Sequence, residues 1–175
     1  MSVSLIVLDI KGAPGDATIA GYENHIVVES FSWSATASTV EKVTDDPVTK
    51  VDAKAVSIKK QFDRSSTRLW EMMKTDKPFT ATLRFLDPTS RSASSSKGGG
   101  KIEEILEIQL LGCHIDRISF SADDSGKAVD LSEDLVISYE TSANLSYRAY
   151  DPVKKTRAGV MTASIPASEK VASEN

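Results

Sequence analysis

The alternation of apolar and polar side chains is longest between Asp130 and Asp151. Leu135, Ile137, Tyr139, Ala143, Leu145, Tyr147 and Ala149 share one parity. Ser138, Glu140, Ser142, Asn144, Ser146 and Arg148 take the other, broken mainly by Val136 and Tyr150. Successive strand residues point to opposite faces, so the segment predicts a strand with one buried and one wet face. It far exceeds the usual length of about 5–6 residues and requires a large sheet. A wet face this continuous suits lining or coating a surface better than forming an enzyme pocket.

The rest of the chain is mostly period two. Val3 to Ile10 reads as a first strand, and 11–21 as a glycine-rich loop. His25 to Ser34 predicts a second strand, with Val27, Phe31 and Trp33 on one parity and Ser30, Ser32 and Ser34 on the other. Ala35 to Lys50 reads as a long loop or a loosely paired hairpin arm. Val51 to Phe62 predicts a third strand with Val56, Ile58 and Phe62 in register. The period then changes. Ser65 and Ser66 offer N-cap hydroxyls, and Leu69, Met72 and Met73 follow helical spacing. One short helix over about 66–75 follows, with Trp70 beside its apolar stripe. A helix this short is marginal alone, so packing must hold it.

Phe79 to Leu86 returns to period two. The stretch 87–101 is dominated by Ser and Gly, which supply little apolar area against ordering entropy, and reads as flexible. Ile102 to Ile118 is another long strand with Gly112 as a bulge position, and Ser121 to Lys127 a polar turn. Val153 to Asn175 shows no period and reads as an extension, partly disordered. There is no internal repeat. The expectation is a mainly β domain over 1–152, an antiparallel β-barrel or two-sheet sandwich with one packed helix, followed by an extension over 153–175.

Composition narrows function more than fold. The 175 residues suffice for one domain with a sizeable core. The net charge of −4 and scattered basic residues, densest at Lys154, Lys155 and Arg157, argue against a nucleic-acid footprint. Cys113 is the only cysteine, so no internal disulfide is possible. The start MSVSLIVLDIKG has no basic leader and meets Asp9 early, unlike a signal peptide or a membrane span. The expected location is cytoplasmic, with any export independent of a cleaved signal.

Candidate chemistry is sparse. Cys113 and His114 are strand neighbours pointing to opposite faces, a poor nucleophile–base pair. His25 and His114 lack further zinc ligands. Asp123, Asp124, Asp130, Glu133 and Asp134 form an acidic cluster without calcium-loop spacing. Gly98, Gly99, Gly100 and Lys101 lack the phosphate-loop spacing. No catalytic residue, cofactor or metal is expected.

Four segments carry a family resemblance: HIVVESFSW at His25–Trp33, VSIKKQFDRSSTRLWEMM at Val56–Met73, EILEIQLLGCHIDRISFSADD at Glu104–Asp124, and DLSEDLVISYETSANLSYRAYDP at Asp130–Pro152. Their order and spacing resemble the Hcp (haemolysin-coregulated protein) family of bacterial type VI secretion systems. The usual Gly-Glu-Ser before the second strand is replaced by Gly21-Tyr22-Glu23-Asn24. The resemblance implies a phage tail-tube-like fold and a non-enzymatic tube protein forming homohexameric rings. The rings would stack inside a sheath, be expelled behind a spike, and carry effectors in the lumen. No nucleic acid or membrane insertion is implied. On this view Ser30, Ser32 and Ser34 are candidate lumen contacts. Val40, Val43, Asp45, Asp46 and Val48 belong to a candidate ring-stacking loop. The competing readings are a tail-tube protein of a phage-like or extracellular contractile particle, and a β-barrel binding module that does not assemble.

Overall fold

The computed structural model describes residues 5–40, 48–87 and 102–167. In chain order these form β1 (Ile6–Ile10), β2 (Ile26–Val28), β3 (Ser30–Ser32), β4 (Ala35–Val40), β5 (Val48–Ala53), β6 (Val56–Gln61), α1 (Arg64–Thr75), β7 (Phe79–Leu86), β8 (Glu104–Asp124), β9 (Val129–Asp151) and β10 (Thr156–Pro166). One antiparallel sheet runs β2-β1-β7-β8-β9-β6-β3, with β10 added to β9. β4 and β5 form a separate hairpin.

The strands at the two ends of that path, β2 and β3, are separated in the chain only by Glu29. Its N–H donates to Lys59 O on β6 at 2.8 Å. One residue thus carries the chain from one end of the sheet to the other, and the sheet nearly closes into a barrel. Closure removes open edges that would otherwise template pairing with other chains. The single strand predicted over His25–Ser34 is therefore two strands. Ile26 and Val28 are buried on β2, while Phe31 and Trp33 pack against the core from the other parity after the crossing. Parity read straight through Glu29 assigned the wrong face to the first half. The strand predicted over Val51–Phe62 is likewise divided between β5 and β6.

Alternation fills the barrel. Leu8, Ile26, Val28, Val56, Ile58, Leu83, Leu110, Leu135 and Ile137 are fully buried in one cluster. Tyr147, expected on the closing face of β9, is instead 41% exposed, one step beyond Leu145, which still packs against the core. Phe62 is also 39% exposed, at the end of its strand.

Helix α1 starts earlier than predicted, at Arg64, and Asp63 caps it rather than Ser65 or Ser66. The Asp63 carboxylate accepts from Ser65 N, and the Ser66 hydroxyl accepts from Asp63 N at 3.0 Å, a reciprocal capping box. Leu69 is fully buried and Met72 and Met73 pack partly buried against the core, as the helical spacing predicts. Trp70 is partly exposed. Beneath the helix lies an unpredicted feature, a buried ion pair. Lys60 Nζ meets Glu133 Oε2 at 2.8 Å, and both side chains are 0% exposed.

β8 and β9 pair from Leu106↔Tyr147 to Asp124↔Val129. The register slips at Gly112, where φ is +71° and an added Cβ would lie 2.8 Å from Thr141 Oγ1. Gly112 is thus the bulge position its sequence context suggested. The predicted turn over Ser121–Lys127 is shorter, because β8 continues to Asp124. β10 has no period to betray it. It pairs with Ser142–Asp151 of β9, and Arg157 at its start holds Asp87 at 2.6 Å.

Candidate functional site

The outward face of β3, β6, β9 and β8 forms a continuous polar wall. Cross-strand register places Ser30, Lys59, Asp134 and Ser119 in one row, and Ser32, Ser57, Val136 and Arg117 in the next. These side chains line a shallow depression of about 400 Å³. The adjoining row brings Gln61 opposite Ser132 and Ser132 opposite Ser121, and the two serine hydroxyls bond at 2.7 Å. Further along, Ser138 donates to Asp116 at 2.8 Å. On β10 the pattern continues, with Ser164 donating to Asn144 at 2.8 Å.

Short hydroxylated side chains dominate this wall, and its charges are of both signs. Lys59 stands directly across from Asp134. Small, self-bonded and nearly neutral, the surface offers many weak hydrogen-bonding groups and few anchors. It can pass or loosely hold a protein surface better than it can bind a small ligand, which requires concavity and convergent polar groups.

Ser30, Ser32 and Ser34 are all exposed. Ser30 and Ser32 stand on β3 in this wall, and Ser34 follows β3, its carbonyl accepting from Lys54 N at 2.9 Å. Their partners Ser57, Lys59, Arg117, Ser119 and Ser121 were not singled out from sequence. The strict alternation of β6, with Ser57, Lys59 and Gln61 outward, is the signal that marks them. Of the candidate stacking loop, Val40 and Val48 are paired in the backbone register of β4 and β5, while Val43, Asp45 and Asp46 lie outside the described residues.

Other candidate chemistry separates in space. Cys113 is buried, donates to Leu110 O at 3.3 Å, and burial pushes its thiol up to about 11. His114 points the other way, with Nδ1 2.8 Å from Asp76 Oδ1 and Nε2 3.5 Å from Glu140 Oε2 without hydrogen-bond geometry. The acidic cluster divides too. Glu133 turns inward to Lys60, whereas Asp123 and Asp130 face each other outside. Among the described residues no group of three or more His, Cys, Asp or Glu side chains could hold a metal ion. No described helix is long and apolar enough to cross a membrane.

A family model described as "Type VI secretion system effector, Hcp" matches residues 7–149. Among solved structures, Hcp1 from Salmonella typhimurium is 20% identical, with 92% of each chain covered and a TM-score of 0.65. A type VI secretion system effector from Yersinia pestis is 15% identical, covering 93% of this chain and 99% of its own, with a TM-score of 0.66. A structure described as a type six secretion system protein is 16% identical over 92% and 94% of the two chains, with a TM-score of 0.72. At these identities the structures establish the fold. No curated protein matches the chain.

Proposed function

The chain belongs to the Hcp family of type VI secretion systems, and from that premise we propose that it is an inner-tube protein acting mechanically. Copies close into hexameric rings, rings stack into a tube inside a sheath, and contraction expels the tube behind its spike. Effectors travel in the lumen.

The observation that carries this reading is the two-faced wall. Each long strand spends one face on the barrel core and leaves the other polar, small and continuous across four strands. An enzyme or a ligand-binding barrel would concentrate polarity in a pocket. A tube protein needs it spread over a surface. A closed ring also needs heterologous contacts, one face of each subunit docking on a different face of its neighbour.

We place Ser30, Ser32 and Ser34 at the lumen, and the segment that carries Val40, Val43, Asp45, Asp46 and Val48 between rings. Light scattering after size exclusion tests the assembly: a hexameric mass supports the tube, and a monomer at all concentrations refutes it. Ser32→Gln tests the lumen assignment. It should spare ring formation and reduce effector retention. A folded Ser32→Gln monomer that no longer forms rings would refute it.

A further inference from the structure

His114 stands between two carboxylates that belong to different elements. Its Nδ1 lies 2.8 Å from Asp76 Oδ1, at the C-cap of α1. Its Nε2 lies 3.5 Å from Glu140 Oε2 on β9, and that nitrogen is buried without a hydrogen-bond partner among the described residues. A neutral imidazole has one N–H and one lone pair. With the proton on Nδ1 and donated to Asp76, the Nε2 lone pair faces a carboxylate oxygen, acceptor against acceptor. The other tautomer moves the same mismatch to Asp76. Only the imidazolium, with a donor on each nitrogen, suits both neighbours at once.

The backbone on either side puts the ring there. Asp76 ends α1 in the left-handed region, with φ at +49°, where glycine is the usual residue. An aspartate in that place brings His114 a carboxylate that glycine lacks. His114 itself follows the slip of register at Gly112 and is paired with Ser138 on β9. The C-terminal end of a helix also favours a cation beside it. Other charged groups stand on the same elements. Lys74 and Lys77, on either side of Asp76 in the chain, oppose a further cation, but Lys74 is drawn to Glu71 at 3.3 Å. Asp116 on β8 accepts from Ser138 at 2.8 Å, and Lys11 borders a depression beside Gly112 and Phe79.

We propose that His114 is a pH-sensitive clip on the end of α1. Protonated, it ties the helix C-cap to β9 across β8; neutral, it holds only one of the two carboxylates. The sign follows from the donor count. The protonated ring gains a second partner in the folded chain, so the clip is closed below the usual histidine range, near about 6.5, and opens as pH rises through it. Water limits its strength. The side chain of His114 is 19% exposed, but those of Asp76 and Glu140 are 83% and 56% exposed, so the effect is a few-fold at most. The clip belongs to the folded chain and works whether or not copies assemble.

Hydrogen exchange tests it. Deuterium uptake over 70–79 in the full chain, read by mass spectrometry, reports opening of this helix end, where Asp76 N donates to Met72 O at 3.2 Å. Dividing by the uptake rate of the same segment as a free peptide removes the chemical pH dependence of exchange. The corrected rate should rise about three-fold between about pH 5 and about pH 8. His114→Gln keeps a side-chain donor but does not titrate, and its corrected rate should stay level over that range. Glu140→Gln, at an exposed position, should lose most of the response while keeping the bond to Asp76. A parent rate that stays level with pH overturns the proposal. So does a response that persists undiminished in His114→Gln or, should that variant not fold, in Glu140→Gln.

Discussion

Lys60 and Glu133 give the sharpest energetic prediction. Lys60 Nζ contacts Glu133 Oε2 at 2.8 Å, Gln61 O at 2.9 Å, Asp63 Oδ1 at 2.9 Å and Ser66 Oγ at 2.9 Å. Glu133 in turn accepts from Ser66 Oγ at 2.8 Å and Trp70 Nε1 at 3.3 Å. The network joins β6, β9 and the first turn of α1. Replacing Lys60 by Met leaves a buried carboxylate without its cation, which costs about 3–5 kcal/mol. At about 2–4 °C per kcal/mol for a chain of this size, the melting temperature should fall by roughly 6–20 °C. Glu133→Leu should cost less, because the ammonium keeps the Asp63 carboxylate at 2.9 Å.

The double variant behaves differently. With both charges gone, the Ser66 hydroxyl still accepts from Asp63 N, and half-exposed Trp70 can turn its N–H to water. Buried ion pairs replaced by apolar residues of similar volume are often neutral or stabilised. Lys60→Met/Glu133→Leu should therefore lie within about 1–2 kcal/mol of the parent. Urea titration measures this, at one fixed protein concentration because assembly couples to stability. Single changes costing under about 1 kcal/mol would refute the ion-pair account. So would a double change as costly as the two singles summed.

The remaining predictions concern the same core. Leu69→Ala empties the one fully buried apolar site of α1 and should cost about 2–5 kcal/mol; an unshifted thermal melt would contradict the burial of that face. Cys113 should resist a thiol-specific reagent at pH 8. It is buried, and that pH lies well below a thiol at about 11, so the thiolate is scarce until pH rises toward that value or the chain unfolds. Rapid labelling of the folded protein would refute its placement.

Much of the wall was legible in the sequence because alternation over β9 and β6 records which face is dry. Leu135, Ile137 and Ile58 are buried as their parity requires, and Ser30 and Ser32 are exposed as theirs requires. Periodicity fails where the backbone breaks step. It could not see the crossing at Glu29, where one residue changes both the partner strand and the inward face. It also misreads Lys60, which has the inward parity of Val56 and Ile58 but is charged. Only a tertiary partner makes that position tolerable, and Glu133 is distant in sequence. β10 was hidden for a different reason. It lies against β9 with most of its surface exposed, so no apolar period marks it.

The same physics explains why the barrel needs such long strands. β9 pairs with β6 through Ser132–Ile137 and with β10 through Ser142–Asp151, while β8 follows it along nearly its whole length. One strand is therefore shared by two different neighbours on one side and one on the other. Leu135, Ile137, Tyr139 and Ala143 are buried, and beyond them Leu145 and its β10 neighbour Ile165 still pack against the core, while Tyr147 and Met161 are largely exposed. The first half of β9 is thus committed to stability, with the polar wall on its back. The second half retains exposed apolar side chains that burial within the chain does not satisfy. A lone barrel gains little from the far end of that extension, since ordering it costs about 1–2 kcal/mol per residue in backbone entropy against little apolar burial. On the proposed tube reading, contact with another subunit would supply the missing burial, and the length of β9 would then serve the assembly as much as the folded chain.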